Sequence, residues 1–348
     1  MDNGKVEPVK IIQILPGLEE GGVERHVLWL SNELASRGHE MLVVSSGGKL
    51  EGQFEPSVKH WRLPVHLKNP LTAAWCAIRI ANRARKEGWD LLHAHSRVPV
   101  WIAWWASFLA DMPWIITAHD NYRTNMAIYP FRYASAAICV SGAVKEHLEK
   151  FLPKESHVIY NGLPRDYEKW EEGRGEFARR FLFLGRLTRR KGLHIILEAF
   201  GELRSKNWVL DVVGNGSLAS EMQEKAQHLK IANKVNFWGF RDDTEKWMKR
   251  CDCFLFPSLD EGMGLTLMQA IYMRVPVIAS DLPAVRELSC DGGESLVSRG
   301  NVGAWKNRIE SILNGKDCYS RFDPSKVRTV KETTDFIIKV YQKVLGNL

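Results

Sequence analysis

Cysteine is sparse and scattered. The six thiols in 348 residues, Cys76, Cys139, Cys251, Cys253, Cys290 and Cys318, form no C-x-x-C pair and sit at no His/Cys spacing of zinc-ligand type. A disulfide framework and a structural zinc are thereby set aside, and buried thiols in a reducing cytosol are expected. No basic, apolar, small-residue leader opens the chain, and the longest apolar stretch, 98–109, is too short to span a bilayer. A soluble or peripherally attached protein is therefore expected. Low-complexity tracts and short-period repeats are missing. No Gly-x-Gly-x-x-Gly follows the first apolar run with an acidic residue after the second, which argues against a nicotinamide-linked dehydrogenase. Charge of one sign is also scarce: the net charge is +7 and both halves share it, so there is no nucleic-acid-binding arm. That small excess suits anionic phosphates or an anionic membrane surface.

What is present is length and alternation. With 348 residues and 45% hydrophobic content, the chain exceeds what one core usually holds, and two α/β domains follow. Short apolar runs alternate with helical patterns, as in stacked βαβ units with parallel sheets. Residues 9–15, 41–44, 90–93, 114–117, 136–140 and 157–159 read as strands of a first sheet. Val23, Val27, Leu30 and Leu34 recur at helical spacing between the first two, and that helix is expected to stop at Gly38. After Asn161-Gly162-Leu163-Pro164 the composition turns polar and charged through residue 180, as linkers do. A second series of strands is then expected at 181–184, 209–213, 235–237, 253–256, 275–279 and 295–297, with helices near 193–204, 217–230, 244–250 and 265–272. The segment 325–345 reads as a terminal helix. Domains of 1–164 and 165–329 result.

The unusual residues cluster where strands of such sheets end, where loops and helix amino termini present unpaired N–H groups. Gly21 and Gly22 open a helix after the first strand, which suits close approach to a phosphate or sugar, although a tight turn explains them equally well. His93 and His95 follow one strand, and Thr117-Ala118-His119-Asp120 the next. A single histidine is more often structural, but two such loops at successive strand ends suggest hydrogen bonding to hydroxyls or phosphate rather than metal binding. In the second half, Arg186 and Lys191 bracket a turn before a helix, so two cations and a helix dipole can converge on one anion; the alternative is a solvated basic loop. Val213-Gly214-Asn215-Gly216 makes another glycine turn. The sharpest signal is Glu261-Gly262-Met263-Gly264-Leu265-Thr266, an acidic residue and two glycines at a strand-to-helix turn, with polar Gln269 on the otherwise apolar helix that follows. Glu261 can accept bonds from sugar hydroxyls, and the N–H groups of Met263 to Thr266 can hold a phosphate.

The ordered set Gly-Gly-x-Glu, His-Ala-His-Ser, Thr-x-His, Val-Ser, Asn-Gly, Gly-Arg-x5-Gly, Val-Gly-x-Gly and Glu-Gly-x-Gly covers nearly the whole chain. It resembles the retaining glycosyltransferases of family 4. That resemblance implies a GT-B fold: two Rossmann-like, doubly wound domains facing across a cleft, with the terminal helix, about 330–348, crossing back onto the first. It implies a UDP-, GDP- or ADP-sugar donor, with Arg186 and Lys191 on the diphosphate, Glu261 on the transferred sugar, and the segment 237–240, ending in Phe240, on the nucleobase. Gly21, Gly22 and Gly214, with the turn Gly262, Met263, Gly264 and Leu265, would lie against the donor. His119 would approach the reacting centre from the acceptor side, with His95 and Asp120 beside it. No metal or other cofactor is implied, in keeping with the absence of an Asp-x-Asp motif. The implied mechanism is a front-face displacement in which cationic side chains do what a divalent metal does elsewhere. The acceptor is expected to be a glycan or a lipid-linked glycan of a bacterial cell envelope, and the location the cytoplasm or the inner face of the plasma membrane.

One position departs from the family pattern. Two glutamates separated by seven residues are usual, and here Glu261 is followed by Gln269. The second position generally contacts the ribose hydroxyls, so weaker donor affinity is expected. Rival readings are a nucleotide-sugar epimerase, a phosphorylase and a non-catalytic sugar-nucleotide binding protein. A last pattern lies at 70–87, a helix whose Leu71, Trp75, Ile78 and Ala81 form an apolar side. That side is expected to pack on the first sheet; the other reading is contact with anionic lipid, aided by Lys68, Arg79, Arg83, Arg85 and Lys86.

Overall fold

The structure is a computed structural model that describes residues 7–165, 167–171, 179–204 and 207–346. Of the polar stretch 165–180, residues 166 and 172–178 lie outside the described residues. The chain divides into two compact units, 1–165 with 328–348, and 166–327.

The first unit is built on β1 (Lys10–Ile14), α1 (Gly22–Ser36), β2 (Glu40–Ser45), β3 (Val58–Arg62), α2 (Pro70–Glu87), β4 (Leu91–His95), α3 (Arg97–Ala110), β5 (Trp114–Ala118), β6 (Ala136–Cys139), α4 (Gly142–Leu148) and β7 (Ser156–Val158). Its seven strands are ordered β3-β2-β1-β4-β5-β6-β7, and every pairing is parallel. The central strands are buried throughout, which is why they read as continuous apolar runs. Edge strand β3 was not expected from sequence: its Val-Lys-His-Trp-Arg carries a single buried residue, Val58, and no apolar run.

The second unit contains β8 (Arg179–Leu184), α5 (Leu193–Gly201), β9 (Trp208–Val213), α6 (Ala219–His228), β10 (Val235–Gly239), α7 (Thr244–Arg250), β11 (Cys253–Phe256), α8 (Leu265–Met273), β12 (Val277–Ala279), α9 (Pro283–Arg286) and α10 (Val302–Leu313). Five parallel strands run β10-β9-β8-β11-β12. The strand expected at 295–297 is only an isolated bridge between Ser280 and Val297, so the sheet ends at β12. Phe181, Phe200, Trp208 and Trp305 are among the large side chains filling this core.

The terminal helix α11 (Val330–Val344) belongs to the first unit. Thr329 and Glu332 form a reciprocal capping box that sets its start. Ile337, Val340 and Tyr341 then join Val27, Leu30 and Leu34 of α1 in one buried cluster. In both sheets the strand order reverses once, between β1 and β4 and between β8 and β11. Loops at such reversals diverge to opposite faces and leave a crevice at the carboxyl ends of the strands.

Candidate active site

In the second unit the reversal brings together the loops after β8 and β11. Lys191 donates to Glu261, and the Ser258 hydroxyl donates to the same carboxylate oxygen at 2.8 Å. Glu261 is 9% exposed, so its charge is compensated where water reaches it little. The two loops are stitched further by Leu259 N to Arg190 O at 2.8 Å and by Arg190 Nε to Asp260 O at 2.8 Å. Close approach needs glycine here: Gly192 has φ +76, and a Cβ on it would lie 2.0 Å from the Pro257 carbonyl oxygen. Arg186, in the same β8–α5 loop, is exposed, and among the described residues its guanidinium has no hydrogen-bond or ion-pair partner.

The neighbouring turn after β9 locks onto this loop. Gly214 has φ +137, and a Cβ there would lie 2.0 Å from the Gly185 carbonyl oxygen; Leu187 N bonds Asn215 O at 2.9 Å. Gly262, Met263 and Gly264 are buried, Leu265 is half-buried, and Gly264 is the N-cap of α8, which has no side-chain cap. Its first N–H groups are therefore left for another acceptor. Gln269 is 5% exposed; its amide oxygen accepts from Thr244 Oγ1 at 2.9 Å, while its amide nitrogen has no partner. Phe240 is half-buried just past β10, and Trp238 turns its indole N–H to Asp211 at 2.8 Å.

In the first unit the reversal gathers histidines. His93 and His95 lie within β4, not after it, and both are fully buried. His95 Nε2 stands 3.1 Å from the Gln13 amide oxygen and His95 Nδ1 2.9 Å from His119 Nε2. With Gln13 presenting its oxygen, His95 donates from Nε2, so Nδ1 accepts from His119, and His119 Nδ1 keeps a lone pair. His93 is held by Tyr341 of α11 at 2.8 Å and by Thr117 at 2.7 Å. The His26 ring lies 5.0 Å from that of His119, and its Nε2 has no partner. Burial lowers all four: His26 to about 4, and His93, His95 and His119 well below the ordinary histidine value. They are neutral near pH 7. His26, His95 and His119 are also the one group among the described residues whose ligand atoms, within 4.8 Å of one another, could hold a metal ion. His119 is the most exposed of the three, at 8% against 4% for His26 and 0% for His95. Asp120 follows it, half-buried. Gly21 precedes α1 with φ −88, an ordinary extended conformation; what it and Gly22 supply is a helix amino terminus with no side-chain cap.

Sequence reasoning passed over Ser258, Gln13, His26 and Thr244. Only Gln13 carried a usable signal, a lone amide in the strand Lys-Ile-Ile-Gln-Ile. Ser258 matters through Glu261, three residues on in its own loop, whereas His26 and Thr244 matter through partners distant in the chain.

Comparison with known proteins bears on the fold and the family. Residues 20–167 match the family described as Glycosyltransferase Family 4, and residues 164–326 match Glycosyl transferases group 1. The phosphatidyl-myo-inositol mannosyltransferase of Mycobacterium leprae is 25% identical over 352 residues, covering 93% of each chain. Among solved structures, a glycosyltransferase from Rickettsia africae superposes with a TM-score of 0.83 at 21% identity, covering 99% of this chain and 100% of that one. Anabaena Alr3699/HepE, solved with UDP and glucose, superposes with a TM-score of 0.81 at 19% identity, covering 96% and 99%. Two parallel Rossmann-like sheets in the GT-B pattern, matched to these families over residues 20–326, make this chain a glycosyltransferase of the family 4 and group 1 type.

Proposed function

We propose that the protein transfers a sugar, with retention of anomeric configuration, from a nucleotide-diphosphate sugar to a hydroxyl of a glycan or lipid-linked glycan, and that it needs no divalent metal. The observation that carries this reading is the Lys191–Glu261–Ser258 group at the β8/β11 reversal, with the exposed Arg186 in the same β8–α5 loop as Lys191. A diphosphate leaving group needs cationic and N–H partners, and a sugar needs a fixed acceptor for its hydroxyls. One loop pair holds both. The UDP and glucose bound by Anabaena Alr3699/HepE support a donor of this class.

In the proposed step the bond between the anomeric carbon and the diphosphate oxygen breaks while the acceptor oxygen attacks from the same face. The acceptor proton passes to the departing diphosphate. Arg186, Lys191 and the uncapped start of α8 take up the charge that develops on the leaving group. Glu261 orients the sugar hydroxyls. Neutral His119 offers its Nδ1 lone pair to a hydroxyl, and His95 and Gln13 hold its tautomer. The mannosyltransferase relative acts, by its name, on a phosphatidylinositol, which supports a lipid-linked acceptor. No helix among the described residues is long and apolar enough to cross a membrane. We place the protein in the cytoplasm, peripheral to the plasma membrane.

Incubating the purified protein with UDP-, GDP- and ADP-sugars in the presence of a chelator tests the reading. Slow release of nucleoside diphosphate from one donor is expected, and NMR of a transfer product should show the donor's anomeric configuration. Epimerised free nucleotide sugar, a requirement for inorganic phosphate, an inverted product, or activity abolished by chelation would each overturn the corresponding part.

A further inference from the structure

Of the side that its sequence suggested, helix α2 buries only Ala81. The face packed inside is made of Ala73, Cys76, Ala77, Ile80, Ala81 and Ala84, whereas Leu71, Trp75 and Ile78 point out, Leu71 with 81% of its surface exposed. Small residues on the inner face let α2 pack closely against its neighbours, and the large apolar residues are left outside. Adjacent α3 repeats the arrangement. Trp101, Trp104, Trp105 and Phe108 follow one another at i, i+3, i+4 and i+7 along a half-exposed face, and Phe108 is 85% exposed. Between the helices runs a groove of about 450 Å³, lined by Ala74, Ile78, Trp104, Trp105, Phe108 and Leu109. Tyr133 extends the surface by stacking on Trp104, with ring centroids 5.1 Å apart.

Cations bracket this apolar surface. Lys68 precedes α2, and Arg79, Arg85 and Lys86 follow Ile78 on the exposed side, with the Arg79 guanidinium 5.2 Å from the Trp75 ring. Arg85 also donates to the carbonyl of Leu109 and so ties the basic end of α2 to α3. The one carboxylate on α2, Glu87, is paired with Arg83 at 2.9 Å, and α3 carries none.

We infer that this outward face of α2 and α3 seats the protein on an anionic lipid surface, with Leu71, Trp75, Ile78 and Phe108 entering the boundary of the acyl chains and Lys68, Arg79, Arg85 and Lys86 meeting headgroup phosphates. A leaflet presents a plane of anionic phosphates over hydrocarbon, and this face presents apolar side chains within a border of long, flexible cations that can reach back to that plane. Half-exposed tryptophan and tyrosine suit the same depth. A protein partner of matching chemistry would have to bring its own carboxylates to every one of these cations. The inference deepens the proposed lipid-linked acceptor, and it rests on that reading only for its biological purpose.

Sedimentation with vesicles of phosphatidylcholine alone or with phosphatidylglycerol decides it. Wild type is expected to bind the anionic vesicles and to lose binding as salt rises. The Lys68→Gln/Arg79→Gln/Lys86→Gln variant should bind on the order of a hundredfold more weakly. Phe108→Gln should weaken binding at every salt concentration, with the helical circular dichroism of both variants unchanged. Absent binding, equal binding to both vesicle types, variants that bind like wild type, or a stable dimer in solution that Phe108→Gln dissociates would overturn it. Nucleoside diphosphate release from a soluble donor is read separately: vesicle binding without it removes the transferase reading and leaves this surface standing.

Discussion

Lys191 and Glu261, seventy positions apart, form an ion pair at the point where the second sheet reverses its strand order. The cation assigned to the diphosphate and the carboxylate assigned to the sugar are thus paired with each other. Ser258 braces the carboxylate from its own loop.

Arg186 and Lys191 should separate under substitution. Losing either charge-assisted contact is expected to lower kcat/KM for the donor by about ten- to a hundredfold, or about 1.5 to 3 kcal/mol. Arg186→Ala should leave the melting temperature alone, because its side chain is exposed. Lys191→Ala should also lower it, because Glu261 loses its cation. Wild-type kinetics in the double variant would remove the clamp.

Gln269 supplies a second test. Thr244 occupies its amide oxygen, and its buried NH2 is unpartnered. A carboxylate there could accept from Thr244 and from ribose hydroxyls together, so Gln269→Glu is expected to lower the donor KM with little change in kcat. Gln269→Ala should raise KM. If the alanine variant instead melts earlier while its donor dissociation constant by calorimetry stays put, the residue serves only to tie α8 to α7.

The histidine group makes stability depend on pH in one direction. Burial holds the folded-state values of His26, His93, His95 and His119 below the unfolded value near 6.5. Below that pH the unfolded chain takes up protons that the folded chain refuses. Stability is therefore expected to be flat above about pH 7 and to fall on acidification, by at most about 1.4 kcal/mol per histidine per pH unit. The contribution of His26 should level off near its folded value of about 4. Thermal melts at pH 8, 6.5 and 5.5 read this out, and a melting temperature that rises with acid would contradict it.

Tyr341 pins the terminal helix to the first sheet through His93. Tyr341→Phe keeps the ring and leaves a buried imidazole nitrogen unpaired, so a loss of about 1 to 3 kcal/mol in urea unfolding is expected. His93→Phe in the same background should add less than the sum of the two single changes, since the pair is then removed together. Strict additivity would show that the bond contributes nothing.

Local chemistry was legible in the sequence where its signals are local. Helix α2 runs from Pro70 to Glu87, as its pattern suggested, because Asn69 caps it, Pro70 favours its first turn and Gly88 ends it in a left-handed conformation. The buried strands announced themselves as apolar runs, and the glycine turns and Arg186, Lys191 and Glu261 stood at strand ends. Edge strand β3 and the outward face of α2 were not legible in this way. An apolar residue looks the same in sequence whether it faces a sheet or solvent, and only the packing of Ala73, Ala77 and Ala84 decided which side of α2 turned in. The pairings of Lys191 with Glu261, Gln13 with His95 and His93 with Tyr341 likewise belong to the tertiary structure. They join residues up to 248 positions apart, and no periodicity of a single helix or strand reaches that far.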